Sequence, residues 1–149
     1  MPTVQHEVYI DAPMERVFAV VADADRATEW STNLVSIRRT SDGPGLGATT
    51  EAVMKIAGSE QRARGRCTAY DPPSHIRLET QFEKGNKGRR EIWLTPEGTG
   101  TRLRLEQEYS LPGGLFGKVL NAVVIERQVK GDIEESFSRL RTMLESERV

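Results

Sequence analysis

Cysteine occurs once in this chain of 149 residues, at Cys67. No internal disulfide can form, and the chain suits a reducing compartment, so a cytoplasmic location is expected. Histidine occurs only twice, as His6 and His75. With one cysteine and no local His, Asp or Glu spacing of the ligand type, a zinc or iron centre is not expected, nor is a cofactor. An excess of charge of one sign is also missing: 21 Lys and Arg stand against 22 Asp and Glu, for a net charge of -1. That balance does not point to nucleic acid or an anionic membrane as a main partner. No apolar run approaches the roughly 20 residues of a spanning helix, so no integral membrane segment is expected. Met1-Pro2-Thr3-Val4 enters a strand-like run at once, with no basic segment followed by an apolar one, and no signal peptide is expected.

What is there is an ordinary globular composition, 37% hydrophobic and 29% charged. The length suits a single domain over 1–149, able to bury about 70% of the surface its unfolded form exposes. Val4, His6, Val8 and Ile10 share one parity and predict a first strand. Asp11-Ala12-Pro13 ends it, Pro13 suits the first position of a helix, and Val17, Phe18, Val20 and Val21 supply that helix with an apolar face. A second short helix is expected from Asp23 or Asp25 to Trp30.

From Leu34 to Leu111 the apolar period becomes two, broken by turn-forming stretches such as Asp42-Gly43-Pro44-Gly45, Asp71-Pro72-Pro73 and Lys84-Gly85-Asn86-Lys87-Gly88. Six strands fit between those turns, making seven with the first. Short connections make successive strands antiparallel. Leu103, Leu105, Gln107, Tyr109 and Leu111 face one way, and Arg102, Arg104, Glu106 and Glu108 the other. The strand at 76–83 repeats this division, so one face of the sheet is wet and one is covered. After Pro112-Gly113-Gly114 a helix is expected from about 115 to 146, with Leu115, Val119, Ala122, Ile125, Val129, Ile133, Phe137, Leu140 and Leu144 in one stripe and Gly131 able to bend or weaken it. Only the covered face of the sheet offers that stripe a partner. The fold class is therefore α+β, a seven-stranded curved antiparallel sheet wrapped around a long C-terminal helix.

Two patterns favour unfilled volume between helix and sheet. The inner parity at 61–69 is Gln61, Ala63, Gly65, Cys67 and Ala69, mostly small side chains, although tight packing of the helix against them is the alternative. The helix also carries Phe116, Leu120, Val123 and Val124 beside its main stripe, more apolar surface than one seam needs; that excess could line a pocket mouth or a dimer contact, leaving monomer and homodimer both open.

Chemistry-bearing residues are few. Gly43-Pro44-Gly45-Leu46-Gly47 precedes a strand, whereas a phosphate cradle needs a helix N-terminus. Lys84, Lys87, Arg89 and Arg90 cluster at a turn, which a solvated hairpin explains better than an anion site. Cys67 and His6 share the inner side, yet their positions establish no contact, and a small buried thiol is the simpler reading. Parity places Gln107 and Tyr109 on the inner face of an apolar strand, and Arg90 shares the parity of Ile92 and Leu94. Buried polar groups require partners. These three can find them in a ligand, in one another, in Glu126 or in water.

The sequence resembles the START-like, or SRPBCC, superfamily, and within it the polyketide cyclase/dehydrase-like proteins. The resemblance lies in Ile10-Asp11-Ala12-Pro13 with Glu15-Arg16-Val17-Phe18 following, Trp30 ending a short helix, Asp71-Pro72-Pro73 between strands, Gly98-Thr99-Gly100-Thr101-Arg102-Leu103 before the last strand, and the long terminal helix. It spans nearly the whole chain and implies the helix-grip fold with a deep cavity. These are scaffold motifs, and the superfamily includes lipid carriers, hormone receptors, aromatase/cyclases and chaperone activators. The expected role is binding or carriage of an apolar small molecule, lipid-, quinone- or polyketide-like. The expected ligand-binding residues are Trp30, Met54, Cys67, Phe82, Arg90, Ile92, Gln107, Tyr109 and Val123. A cyclase or dehydratase using Arg90, Tyr109 or His6 is the second reading, and a protein-interaction or chaperone-activator module the third. No catalytic constellation at diagnostic spacing selects between them.

Overall fold

The computed structural model describes residues 2–56, 58–110 and 119–147, and in the last helix the side chains from residue 123 onward. The expected elements at 111–118 lie outside these residues. Seven strands form one antiparallel sheet: β1 (Thr3–Ile10), β2 (Leu34–Arg39), β3 (Thr49–Ile56), β4 (Ser59–Asp71), β5 (His75–Phe82), β6 (Lys87–Glu97) and β7 (Gly100–Tyr109). Their spatial order is β1-β7-β6-β5-β4-β3-β2, so every connection from β2 to β7 joins neighbours. Only the passage from β1 to β2 crosses from one edge of the sheet to the other. Two short helices lie on that passage.

Helix α1 (Met14–Val21) buries Val17, Phe18, Val20 and Val21, the face given by its apolar spacing. Pro13 stands one position earlier than expected, at the N-cap, with its carbonyl accepting from the amides of Arg16 and Val17. The second short helix is a 3-10 helix, Ala24–Glu29, whose cap is Asp23 accepting from the Asp25 amide at 2.9 Å. Six residues rich in short polar and charged side chains give an α-helix little to bury, and the tighter form is the usual short connector.

Helix α2 (Val119–Ser146) runs on through Gly131 without a break and is about 42 Å long. Ile133, Phe137, Leu140 and Leu144 are sealed from solvent, as are Ile10, Val17, Leu103 and Leu105 opposite them. Polar ties hold this end of the helix: the Asp11 amide donates to the Glu145 carboxylate at 2.9 Å, and Arg16 donates to the Leu144 carbonyl at 3.1 Å. The core is thus densest where β1, β6, β7, α1 and the second half of α2 meet. It thins toward β3 and β4, whose inner residues include Ala52, Ala63, Gly65 and Cys67.

The outer face is wet, as the alternation requires. Arg89 reaches Glu91 and Glu106, each at 2.6 Å, and His75 lies between Asp71 at 2.8 Å and Glu91 at 2.6 Å while stacking on Trp93. The hydrogen bond to Asp71 raises the imidazole above its ordinary range; partial burial opposes this, and Glu91 adds to it. A raised folded value means that His75 contributes stability that is complete below the unfolded value of about 6.5 and is lost as pH climbs through the folded one. The stability difference between the wild type and His75→Gln should therefore shrink as pH rises from about 6 to 9. Urea unfolding across that range would show it, and parallel profiles would assign the pH dependence to other groups.

Candidate functional site

On the covered face, the thin part of the core is a cavity of about 270 Å³, bounded by β2 to β7, the 3-10 helix with Trp30 after it, and α2 from Ile125 to Ser136. Small residues make the space. Ala52 pairs with Ala63 across β3 and β4, and both line it, as do Gly65 and Cys67. At Gly65 a Cβ atom would come within 2.6 Å of the Thr50 hydroxyl, so any larger residue would require Thr50 to turn aside.

Of the nine residues expected to bind ligand, Trp30, Met54, Cys67, Phe82, Arg90, Ile92, Gln107 and Tyr109 all border this cavity. Val123 does not. It is 44% exposed, with Val124 at 48% beside it, because α2 turns only one seam toward the sheet and Ile125 occupies it. The excess apolar surface of the helix therefore faces outward at these positions and is not part of the cavity wall. His6 is not part of the wall either; its ring packs 6.0 Å from that of Phe137, and no contact joins it to Cys67 among the described residues. The Cys67 thiol donates to the Ala69 carbonyl at 3.3 Å, and burial pushes it up from its ordinary range, which keeps it protonated.

Arg90 is the unusual wall residue. β6 turns Arg89 outward into the charge network and Arg90 inward, where its guanidinium carbon lies 6.0 Å from the Trp30 ring and 5.6 Å from that of Phe137. Both rings are almost wholly buried, at 3% and 0% exposure. Nε donates to the Gln107 side-chain oxygen at 2.9 Å, a contact set by the pairing of Arg90 with Gln107 across β6 and β7. Burial pulls the guanidinium down to about 10, which still leaves it charged at neutral pH. Tyr109 lies two residues along the same inner face, its phenol raised by burial and then by the charge of Glu126.

Sequence reasoning missed the polar column on α2. Gln128, Asp132 and Ser136 follow one another at intervals of four and all border the cavity. Ser136 is buried and ties to Thr32, whose amide donates to its hydroxyl at 3.0 Å. The Asp132 carboxyl is pushed up by burial and by Glu135, against the effect of a hydrogen bond from Thr32. The interval of four beside the Val129–Ile133 seam was the available signal. Asn86 also lines the wall, and its side-chain oxygen is buried without a partner among the described residues, as is the indole N–H of Trp30.

The described residues hold no group of three or more His, Cys, Asp or Glu able to bind a metal ion, and no described helix is long and apolar enough to cross a membrane. The arrangement can enclose an apolar body and hold a polar end against Arg90, Gln107 and Tyr109.

A family model described as "Polyketide cyclase / dehydrase and lipid transport" matches residues 1–145. No curated protein matches the sequence. Among solved structures, TTHA0849 from Thermus thermophilus is similar at 22% identity with a TM-score of 0.78, over 99% of this chain and 100% of that one. Ara h 8.0201 is similar at 14% identity and a TM-score of 0.69, over 97% and 98% of the two chains. DynU16, a putative protein in the dynemicin biosynthetic locus, is similar at 21% identity and a TM-score of 0.65, over 96% of this chain and 47% of that one. At these identities the likeness establishes the fold.

Proposed function

Because the chain belongs to the polyketide cyclase/dehydrase and lipid transport family, we propose that it binds or carries an apolar small molecule between the sheet and α2. The observation that carries this reading is the cavity of about 270 Å³ walled mainly by apolar side chains, with a few polar groups converging on it. Such a design is usual for small-molecule sites, and the volume lies just below the range of about 300–1,000 Å³ common among them. The ligand would be lined by Trp30, Met54, Cys67, Phe82, Ile92 and Tyr109, with Arg90 and Gln107 at its polar end.

A thermal-shift panel of fatty acids, quinones, sterols and polycyclic aromatics tests the reading. A compound present at one hundred times its Kd should add about 2.7 kcal/mol of stability. Ala52→Phe supplies the control, since it places a ring in the cavity without touching the dense half of the core. Binding of the neutral dye Nile red should weaken at least tenfold in this variant, with a loss of stability no larger than the roughly 1–3 kcal/mol usual for added volume. Undiminished dye binding by Ala52→Phe would place the ligand elsewhere.

A cyclase or dehydratase role is the second reading. It is supported by a charged guanidinium and a raised Asp132 carboxyl bordering one cavity, groups able to polarise a carbonyl and to move a proton. Loss of turnover in Arg90, Tyr109 or Asp132 variants that still bind ligand would favour it over carriage.

A further inference from the structure

The wall of the cavity contains a half-buried charge that no carboxylate among the described residues neutralises. No ion pair joins Arg90 to a carboxylate among the described residues, although its outward neighbour Arg89 has three. One N–H of the guanidinium is used, by Gln107. The terminal amino groups meet no acceptor among the described residues, and Arg90 is only partly enclosed. They open on the cavity that Arg90 lines. The two aromatic rings offer their π faces, which offset only part of the cost of removing a cation from water. The Gln107 side-chain amide and the Tyr109 hydroxyl border the same space, and neither has an acceptor among the described residues. The unused groups of Arg90, Gln107 and Tyr109 are therefore donors, whereas the Asn86 side-chain oxygen is an unpartnered acceptor on the same wall.

The carboxyl groups that border the cavity, Asp23 and Asp132, do not answer this charge. Asp132 is occupied with Thr32, and the only influence on Arg90 besides its contacts is its own burial. A neutral ligand would leave a cation unpaired in an apolar wall. A carboxylate would accept two parallel N–H bonds from the fork and cancel the charge where the local dielectric is low.

Resting on the cavity-binding reading, we infer that the ligand is an amphipathic carboxylate, seated with its acid group on Arg90, Gln107 and Tyr109 and its apolar body toward Met54, Phe82 and the small residues of β3 and β4. The acid end is the buried end. Selectivity then comes from the head group, and the apolar wall tolerates variation in the tail.

Decanoate and decanol share a tail and differ in the head group, and their displacement of bound Nile red tests the inference. Wild-type protein should bind decanoate at least tenfold more tightly than decanol. In Arg90→Met the ratio should fall to about one, and Arg90→Lys, which keeps the charge but not the fork, should lie between. Decanol binding as tightly as decanoate in the wild type would overturn the inference and leave the cavity reading intact, as would Nile red binding that neither compound displaces. Failure to bind Nile red at all would remove both. The comparison within the wild type decides the matter even if Arg90→Met does not fold.

Discussion

Phe137→Ala is expected to lower the unfolding free energy by about 3–5 kcal/mol, the usual cost of removing a fully enclosed phenyl ring. The ring has no exposure, and its neighbours come from elements far apart in the chain: Trp30 after the 3-10 helix at 5.3 Å, His6 on β1 at 6.0 Å and the Arg90 guanidinium on β6 at 5.6 Å. These neighbours are held by the sheet or by the helix and cannot close on the space left behind, so both the transfer energy and the void contribute. Arg90 would also lose one of its two aromatic faces, so ligand affinity should change along with stability. Urea unfolding followed by tryptophan fluorescence measures the first effect. A cost below about 1.5 kcal/mol would mean that α2 does not dock on this ring.

Gly100→Ala should cost about 3 kcal/mol, the upper end of the usual range for overpacking. Gly100 opens β7 and lies against the end of β1, where Ile10 pairs with Thr101. A Cβ atom at this position would meet the Tyr9 hydroxyl and come within 2.5 Å of the Ile10 carbonyl oxygen. The tyrosine could swing aside, but the carbonyl belongs to the backbone and can move only if β1 parts from β7. The substitution should therefore lower the Tm by several degrees and loosen the edge pairing, read as faster amide exchange in β1. An unchanged Tm would contradict the close approach of these strands.

Much of this architecture was legible from periodicity. Alternation placed Gln107, Tyr109 and Arg90 on the inner face because a strand leaves each side chain only two directions, and one known neighbour decides between them. The seven strands and the long helix followed from the same kind of pattern. A helix offers more directions, and there Val123 lies away from the cavity: it stands two residues before Ile125, about 200° around the axis, so its apolar character does not bring it to the sheet. Asp132 and Ser136 were missed for the complementary reason, since a charged or hydroxyl residue beside a helical seam ordinarily reads as solvated. Their part in the wall depends on where the 3-10 helix brings Thr32, a distance that no local pattern contains. The contact of His75 with Glu91 was equally hidden, because it follows from the register of β5 against β6, while Asp71 faces His75 across the β4–β5 pair. The contrast between Arg89 and Arg90, adjacent in sequence and opposite in environment, was visible only through parity; composition alone made them one basic cluster.

The uneven anchoring of α2 also bears on kinetics. Its fully sealed residues, Phe137, Leu140 and Leu144, lie toward its end with the ties to Asp11 and Arg16, whereas the cavity lies under the stretch from Ile125 to Ser136. Under the proposed binding role, a ligand held there would come and go by a partial opening that leaves the densest part of the molecule assembled, so residence time and global unfolding rate would be separate quantities. Substitutions near the start of the described helix would then change residence time without eroding the durability of the fold.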